Sequence, residues 1–179
     1  MDKYKEQIKS FVECIDFLIY KKHDIPALNL IYSLIDHLAY LDSAEGCKNV
    51  TRSDYKNWCV EYLDLSKLEV DAIDLYSARC ALLHTGMTES DLSRQNKASL
   101  LFYIWGDKSK EGMEQKYKNE DGSWKVKKFN EQSYKFIKVE ALFEQVKNGI
   151  ETFQKKIEND EDKKTIVKKK AVSYPVNTS

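Results

Sequence analysis

Apolar residues recur at intervals of three and four along the N-terminal part of the chain, which is the spacing of one face of an α-helix. The pattern predicts a first helix over about residues 2–22 and a second that begins after Asp24. Pro26 then falls in the first turn of the second helix, where its missing N–H has no partner to lose. The first stripe comprises Tyr4, Ile8, Phe11, Ile15 and Leu18, and the second comprises Leu28, Ile31, Tyr32, Ile35, Leu38 and Ala39.

Two further stretches, TRSDYKNWCVEYL and SKLEVDAIDLYSARCALLH, each begin with capping-box spacing, a Ser or Thr followed three residues later by an acid. The pairs are Thr51 with Asp54 and Ser66 with Glu69. Gly86, just beyond the second stretch, is a typical C-terminal stop. The sequence therefore predicts two more helices, the second of which opens at Ser66 and ends before Gly86.

The period of the pattern changes after these helices. SLLFYIW (99–105) is short and aromatic and is flanked by polar residues, which predicts a strand, and SYKFIKVE (133–140) partly alternates. Asp121-Gly122 between them is a common hairpin turn signal. We therefore expect a small antiparallel β hairpin over about residues 99–138, inserted before the last helix.

The last predicted helix has the most regular stripe of the chain, and a charged tail follows it. The fold class predicted from these elements is mainly α, a bundle of about five helices in one domain over residues 1–158. From Asn159 the chain is first acidic and then basic, which predicts a solvated, flexible tail over 159–179. The stripe comprises Val139, Phe143, Val146, Ile150, Phe153 and Ile157.

Composition agrees with a helical globular domain. With 179 residues, of which 42% are hydrophobic, the chain can bury a core, and its 2 prolines and 6 glycines favour long helices. No run approaches the roughly 18 apolar residues of a membrane span, and the N-terminus lacks the apolar core of a signal peptide, so we expect a cytoplasmic protein with no membrane partner. The four cysteines show no metal-ligand spacing and phosphate-loop signatures are missing, so reduced thiols, no metal and no cofactor are expected.

The net charge of zero hides an asymmetry. Residues 1–106 contain 12 Lys and Arg against 16 Asp and Glu, a balance of −4, whereas residues 107–170 contain 17 against 13, a balance of +4. A whole-protein attraction to nucleic acid is therefore excluded, and only a local patch can provide one.

LYSARCALLHTG (75–86) contains the residues best suited to chemistry. Arg79 presents a planar fork that fits phosphate oxygens, and His84 can give and take protons near neutral pH. RNA cleavage by the 2′-hydroxyl needs these groups and no metal. Because five residues span 140° around a helix, the two side chains are not expected to share a face, and two copies about a twofold would be needed to bring them to one phosphate.

This stretch resembles the defining motif of HEPN domains, an Arg followed after four to six residues by a His near the end of a helix. DLYSARCALLHTG, with ALNLIYSLIDHLAYL upstream, is similar to the bacterial, Apea-like or a related branch. The resemblance covers about residues 1–158. It implies a helical bundle that forms a homodimer with both motif helices at the interface, and often a metal-independent endoribonuclease with Arg79 and His84 as catalytic residues. Such proteins commonly act as toxins or phage-defence effectors, which implies RNA and also an antitoxin or other protein as partners.

Two neighbours of the motif belong to the predicted site. Active family members usually carry Asn, Asp or His directly after the arginine, whereas this chain has Cys80, a weak hydrogen-bonding group. Tyr76, three residues before Arg79, is expected at the edge of the site. The alternative function is therefore a non-catalytic module of the same fold, which dimerises and holds a partner protein or a nucleotide.

Each candidate residue also has a purely structural explanation. Arg79 would pair with an acid such as Asp74, and His84 would cap the end of its helix. His37 beside Asp36 would be a polar edge of the core rather than a second base or metal ligand, because adjacent residues of a helix point about 100° apart.

Two groups of residues further along the chain could contact RNA. A lysine cluster could bind phosphates, but we favour a solubilising tail. The aromatic residues of LLFYIW could stack on bases, but their consecutive placement favours packing on both faces of a strand. The lysine cluster comprises Lys163, Lys164, Lys168, Lys169 and Lys170.

Overall fold

The computed structural model of the chain describes residues 2–86, 88–106, 108 and 133–172. These residues are mainly helical with one small sheet, as predicted. In chain order the elements are α1 (Lys3–Tyr20), α2 (Asp24–Asp42), α3 (Arg52–Tyr62), α4 (Leu65–Leu68), α5 (Ala72–Thr85), α6 (Asp91–Arg94), β1 (Leu100–Ile104), β2 (Tyr134–Lys138), α7 (Val139–Glu158) and α8 (Glu161–Val172).

The chain divides into two compact units. One comprises the described residues up to Leu63 together with those from Gln145 onward, and the other comprises Asp64–Glu144. The insertion predicted at 99–138 lies within the second unit.

In the first unit α2 packs against α1, α3 and α8. All six residues of its predicted stripe are buried, and Tyr4, Ile8 and Ile15 of α1 are buried as well. The part of α7 in this unit approaches α3 at Gly149, where a Cβ would lie 3.0 Å from the Tyr62 carbonyl oxygen. The 3.6-residue period thus located the faces that this bundle buries.

The prediction of a flexible tail from Asn159 was wrong as far as the structure describes it, because residues 161–172 form α8. Val167 and Ala171 are buried, and the Lys170 ammonium donates to the carbonyl oxygens of Tyr40 and Ser43 at 2.7 Å each, at the end of α2. Burial lowers the pKa of Lys170. An acidic first turn and a basic last turn suit the helix dipole, and lysine stems can cover apolar surface, so a charged sequence of this order can form a packed helix.

In the second unit the helix that carries the motif begins later than predicted. Ser66 lies inside the short α4, where Asp64 accepts a hydrogen bond from the Lys67 N–H at 3.2 Å, and α4 ends at Glu69 in the left-handed conformation (φ +54°). The motif helix, α5, starts at Ala72. Ser66–Glu69 and Asp71–Asp74 both have capping spacing, and the helix begins after Asp71. The prediction that it opens at Ser66 was therefore wrong.

The prediction of an antiparallel pair was also wrong, because β1 and β2 are parallel, with Leu100 opposite Tyr134 and Ile104 opposite Lys138. The connection, 105–133, has 29 residues, which is more than the dozen or so that a parallel crossover needs. The hairpin signal Asp121-Gly122 lies outside the described residues. Phe102 contacts Phe136 with ring centroids 5.6 Å apart, so aromatic packing joins the strands.

None of the described helices is long and apolar enough to cross a membrane. The four cysteines form no disulfide among the described residues; Cys59 is buried, Cys14 is exposed, and Cys47 and Cys80 are half-buried.

We expect His37 to make the first unit sensitive to acid. Its ring stacks on Phe11 with centroids 5.8 Å apart, and burial lowers its pKa from 6.5 to about 4. The unfolded chain therefore binds more protons between these two values, so stability falls as the pH drops below 6.5 and the loss is complete below about 4. We expect this residue to cost about 2 kcal/mol of stability between pH 7 and pH 5. Urea unfolding of wild type and His37→Gln across this range measures the difference, and parallel pH profiles for the two proteins would rule the effect out.

Candidate functional site

A buried carboxylate anchors the N-terminal end of α5. Asp74, only 2% exposed, accepts hydrogen bonds from Lys135 Nζ (2.8 Å), the Ser99 N–H (2.7 Å) and the Asp71 N–H (3.0 Å). Lys135 also donates to the exposed carboxylate of Asp71 at 2.8 Å. Burial opposes the charge of Lys135, but the hydrogen bonds to the two aspartates outweigh it and raise its pKa. The network ties α5 to β2 and to the residue before β1. The structural explanation of Arg79 was an ion pair with Asp74, but the cation that pairs with Asp74 is Lys135.

The C-terminal end of α5 is fixed by its cap and by α6. Gly86 has φ +64° and donates its N–H to the Leu82 carbonyl at 3.0 Å, which confirms the predicted stop. The buried hydroxyls of Ser77 and Ser90 lie 2.6 Å apart, and the Ser90 side chain caps α6. The cap at Gly86 therefore fixes the end of α5, and the contact between Ser77 and Ser90 ties the middle of the helix to the start of α6.

Arg79 and His84 of a single chain contact each other. The distance from Arg79 Nη1 to His84 Nε2 is 3.2 Å; His84 is exposed and Arg79 is half-buried. The expectation that one helix cannot bring these groups together was therefore wrong. The 140° separation applies at the Cα atoms, whereas an arginine side chain is long enough to extend along the helix surface to a residue more than one turn away.

This contact determines which nitrogen of His84 carries the proton. A guanidinium only donates hydrogen bonds, so Nε2 must be the acceptor and the neutral ring is protonated at Nδ1. The exposed end of α5 thus holds a permanent cation beside an imidazole whose lone pair accepts a hydrogen bond from it. This combination suits a phosphodiester, because the cation can bind the phosphate while the lone pair accepts a proton.

Cys80 lies beside this pair, and Tyr76 is three residues before Arg79 on the same helix. Cys80 Sγ is 4.0 Å from Arg79 Nη1, so the guanidinium lies near both the thiol and the imidazole. Both residues are half-buried. Tyr76, Cys80 and His84 follow one another at intervals of four, which is the spacing of one helix face. The sequence also contains this i, i+4, i+8 spacing, which the Arg–His spacing alone does not indicate.

The other candidate residues are engaged elsewhere in the fold. His37 is stacked on Phe11, in line with a polar edge of the core. The lysine cluster of α8 contacts protein groups throughout, which argues against a free phosphate-binding surface. Lys163 contacts Asp42, Lys164 contacts Glu161, Lys168 contacts Asp2, Lys169 contacts Glu45, and Lys170 contacts the carbonyls of Tyr40 and Ser43.

A small pocket of 170 Å³ opens at the opposite end of α5 from the pair. Its walls include Asp71, Asp74, Asn96 and Ser99, most of which belong to or adjoin the anchoring network. The Arg79–His84 pair lies further along the same helix, where His84 is exposed.

Within the described part of the chain no three His, Cys, Asp or Glu residues are grouped so that they could hold a metal ion. Scans against models of protein families, against curated proteins and against solved structures find no match for this chain.

Proposed function

We propose that the protein is a metal-independent endoribonuclease of the HEPN type, and that Arg79 and His84 of one chain act together on a phosphodiester. The observation that carries the proposal is the 3.2 Å contact between Arg79 Nη1 and His84 Nε2 at the exposed end of α5. The Arg-x4-His spacing of RCALLH and its position in the last turns of a helix support the same family. We further propose that the protein acts in the cytoplasm as a homodimer, in the toxin or phage-defence role to which the resemblance points.

The proposed reaction uses both partners of the contact. When RNA arrives, the Arg79 guanidinium turns to a phosphate oxygen and leaves the Nε2 lone pair of His84 free to take the proton of the 2′-hydroxyl. The 2′-oxygen attacks phosphorus, the bond to the 5′-oxygen breaks, and the imidazolium returns the proton to that oxygen. The products are a 2′,3′-cyclic phosphate and a 5′-hydroxyl, and Arg79 stabilises the charge that develops on the phosphoryl oxygens.

Cys80 favours a second candidate function, a module that binds RNA phosphates or a protein partner without cleavage. A thiol is a weak hydrogen-bond donor and acceptor, and its sulfur lies 4.0 Å from the guanidinium at the position where active family members carry a stronger polar group. In this function Arg79 still binds an anion, but the 2′-hydroxyl is not oriented for attack.

The test is incubation of the purified protein with mixed cellular RNA in excess chelator, followed by analysis of the new ends. We expect cyclic phosphate ends, no cleavage of single-stranded DNA, and protection of any site at which the 2′-hydroxyl is replaced by hydrogen or a methoxy group. The Arg79→Ala/His84→Ala double variant, purified in the same way, controls for contaminating nuclease. Binding of RNA without new ends would favour the second candidate, and neither binding nor cleavage would refute the nuclease and the RNA-binding form of the second candidate.

A further inference from the structure

The helix α1 presents apolar side chains on the side opposite its buried face. Phe17 is 56% exposed and Tyr20 is 77% exposed, and Cys14 is exposed as well. These residues follow one another at intervals of three, so they lie along one side of the helix, whereas Tyr4, Ile8 and Ile15 are buried in the bundle. Exposed aromatic residues grouped in this way are typical of a surface that another molecule covers.

Opposite charges flank this side of α1 symmetrically. Glu13 and Lys21 are both exposed, and each is four residues from Phe17. The Lys21 ammonium lies 5.0 Å from the centroid of the Tyr20 ring and 5.8 Å from that of Phe17, so the positive charge adjoins the aromatic surface. The negative charge lies one helical turn away on the other side of Phe17.

We infer that α1 of a second copy of the chain covers this side, antiparallel to the first and related to it by a twofold axis at Phe17. In such a pair each residue faces the one equally far on the other side of Phe17. Lys21 then faces Glu13 of the second copy, Tyr20 faces Cys14 of the second copy, and the two Phe17 rings meet at the axis. A parallel pair would place Lys21 against Lys21 and Glu13 against Glu13, so the charges select the antiparallel arrangement.

This interface is independent of Arg79 and His84, so it stands or falls separately from the proposed reaction. Both copies contribute the same surface, which is the property of a closed dimer rather than an open chain. The interface also differs from the one that the family resemblance implies, because its helix is α1 rather than the motif helix α5.

Sedimentation velocity tests the interface at protein concentrations from about 1 to about 100 µM, the range in which a micromolar dimer dissociates. We expect wild type to be a dimer at the upper end and Phe17→Glu to be a monomer throughout. Val60→Glu is the matched control, because Val60 of α3 is also an exposed large apolar residue (65%) and should leave the dimer intact. Both positions are exposed, so both variants should fold as wild type does. If Phe17→Glu does not fold, Tyr20→Glu is a second variant that should disrupt the dimer.

Charge reversal distinguishes this interface from other ways of forming a dimer. Glu13→Lys or Lys21→Glu alone creates two like-charge contacts per dimer. Each of these single variants is expected to weaken association about tenfold at low salt. The double variant restores opposite charges and should recover most of the affinity. The exposed Lys9–Glu13 pair, at 3.6 Å, is also lost in Glu13→Lys but contributes little to folding. A monomeric wild type, a dimer that survives Phe17→Glu, or a double variant weaker than both single variants would overturn the inference.

Discussion

His84→Ala is expected to slow the proposed RNA cleavage by roughly 10²- to 10⁴-fold, because it removes the group proposed to transfer the proton. Arg79→Ala is expected to slow it by about 10²- to 10³-fold, because it removes the donor that stabilises charge on the phosphoryl oxygens. Since the two side chains act in the same step, the double variant should be scarcely slower than His84→Ala, rather than slower by the product of the two effects. Initial rates on one RNA under single-turnover conditions measure all three.

The controls are a histidine and an arginine that are exposed elsewhere on the chain. His23→Ala and Arg94→Ala remove the same kinds of side chain outside the site, and both should cleave at the wild-type rate. Arg79→Lys keeps the charge but loses the planar fork, so its rate should lie between those of wild type and Arg79→Ala. If His23→Ala reduced cleavage as much as His84→Ala, the reduction would reflect the preparation and not the site.

Asp74→Ala is expected to lower the free energy of unfolding by about 3 kcal/mol, because it leaves a partly buried ammonium with one exposed partner and two backbone N–H groups with none. Asp71→Ala is the matched control. It removes the other carboxylate bound to Lys135, which is 74% exposed and is also the N-cap of α5, so its loss should cost about 1 kcal/mol.

Urea unfolding monitored by circular dichroism measures both aspartate variants. Lys135→Met in the Asp74→Ala background should recover part of the stability, because it removes the charge left without its buried partner. If Asp74→Ala and Asp71→Ala lowered the free energy of unfolding equally, burial would not distinguish the two carboxylates. Asp74 would then not be the anchor of α5.

The helices α1 and α2 of the first unit were predictable because each buries one face and the sequence records that face directly. In α2, for example, every residue of the predicted stripe is buried. The start of α5 was harder to place, since the residues around Ser66 and Asp71 both have capping spacing and only the tertiary contact with Lys135 distinguishes the true anchor. The direction of β2 depends on a partner far away in sequence, and no local pattern determines it.

The sequence alone selects Arg79 and His84 as candidates, but it does not determine their geometry. RCALLH singled out Arg79 and His84 from the chemistry of the two side chains. The angle between their Cα positions then suggested that two chains were needed, because it took no account of the length of the arginine side chain. The prediction of a flexible tail was wrong for a similar reason. Its charged composition indicated exposure to solvent, whereas the order of its charges and the packing of Val167 and Lys170 favour a helix.

The most direct test is whether the proposed catalytic pair, Arg79 and His84, acts within one chain. Arg79→Ala and His84→Ala chains carrying different tags are co-expressed, and the mixed dimer is purified through both tags and assayed on RNA. The account predicts no cleavage above that of the single variants, because neither chain of the mixed dimer holds both groups. Recovery of about half the wild-type rate would contradict it, because it would mean that one complete site had assembled from the two chains.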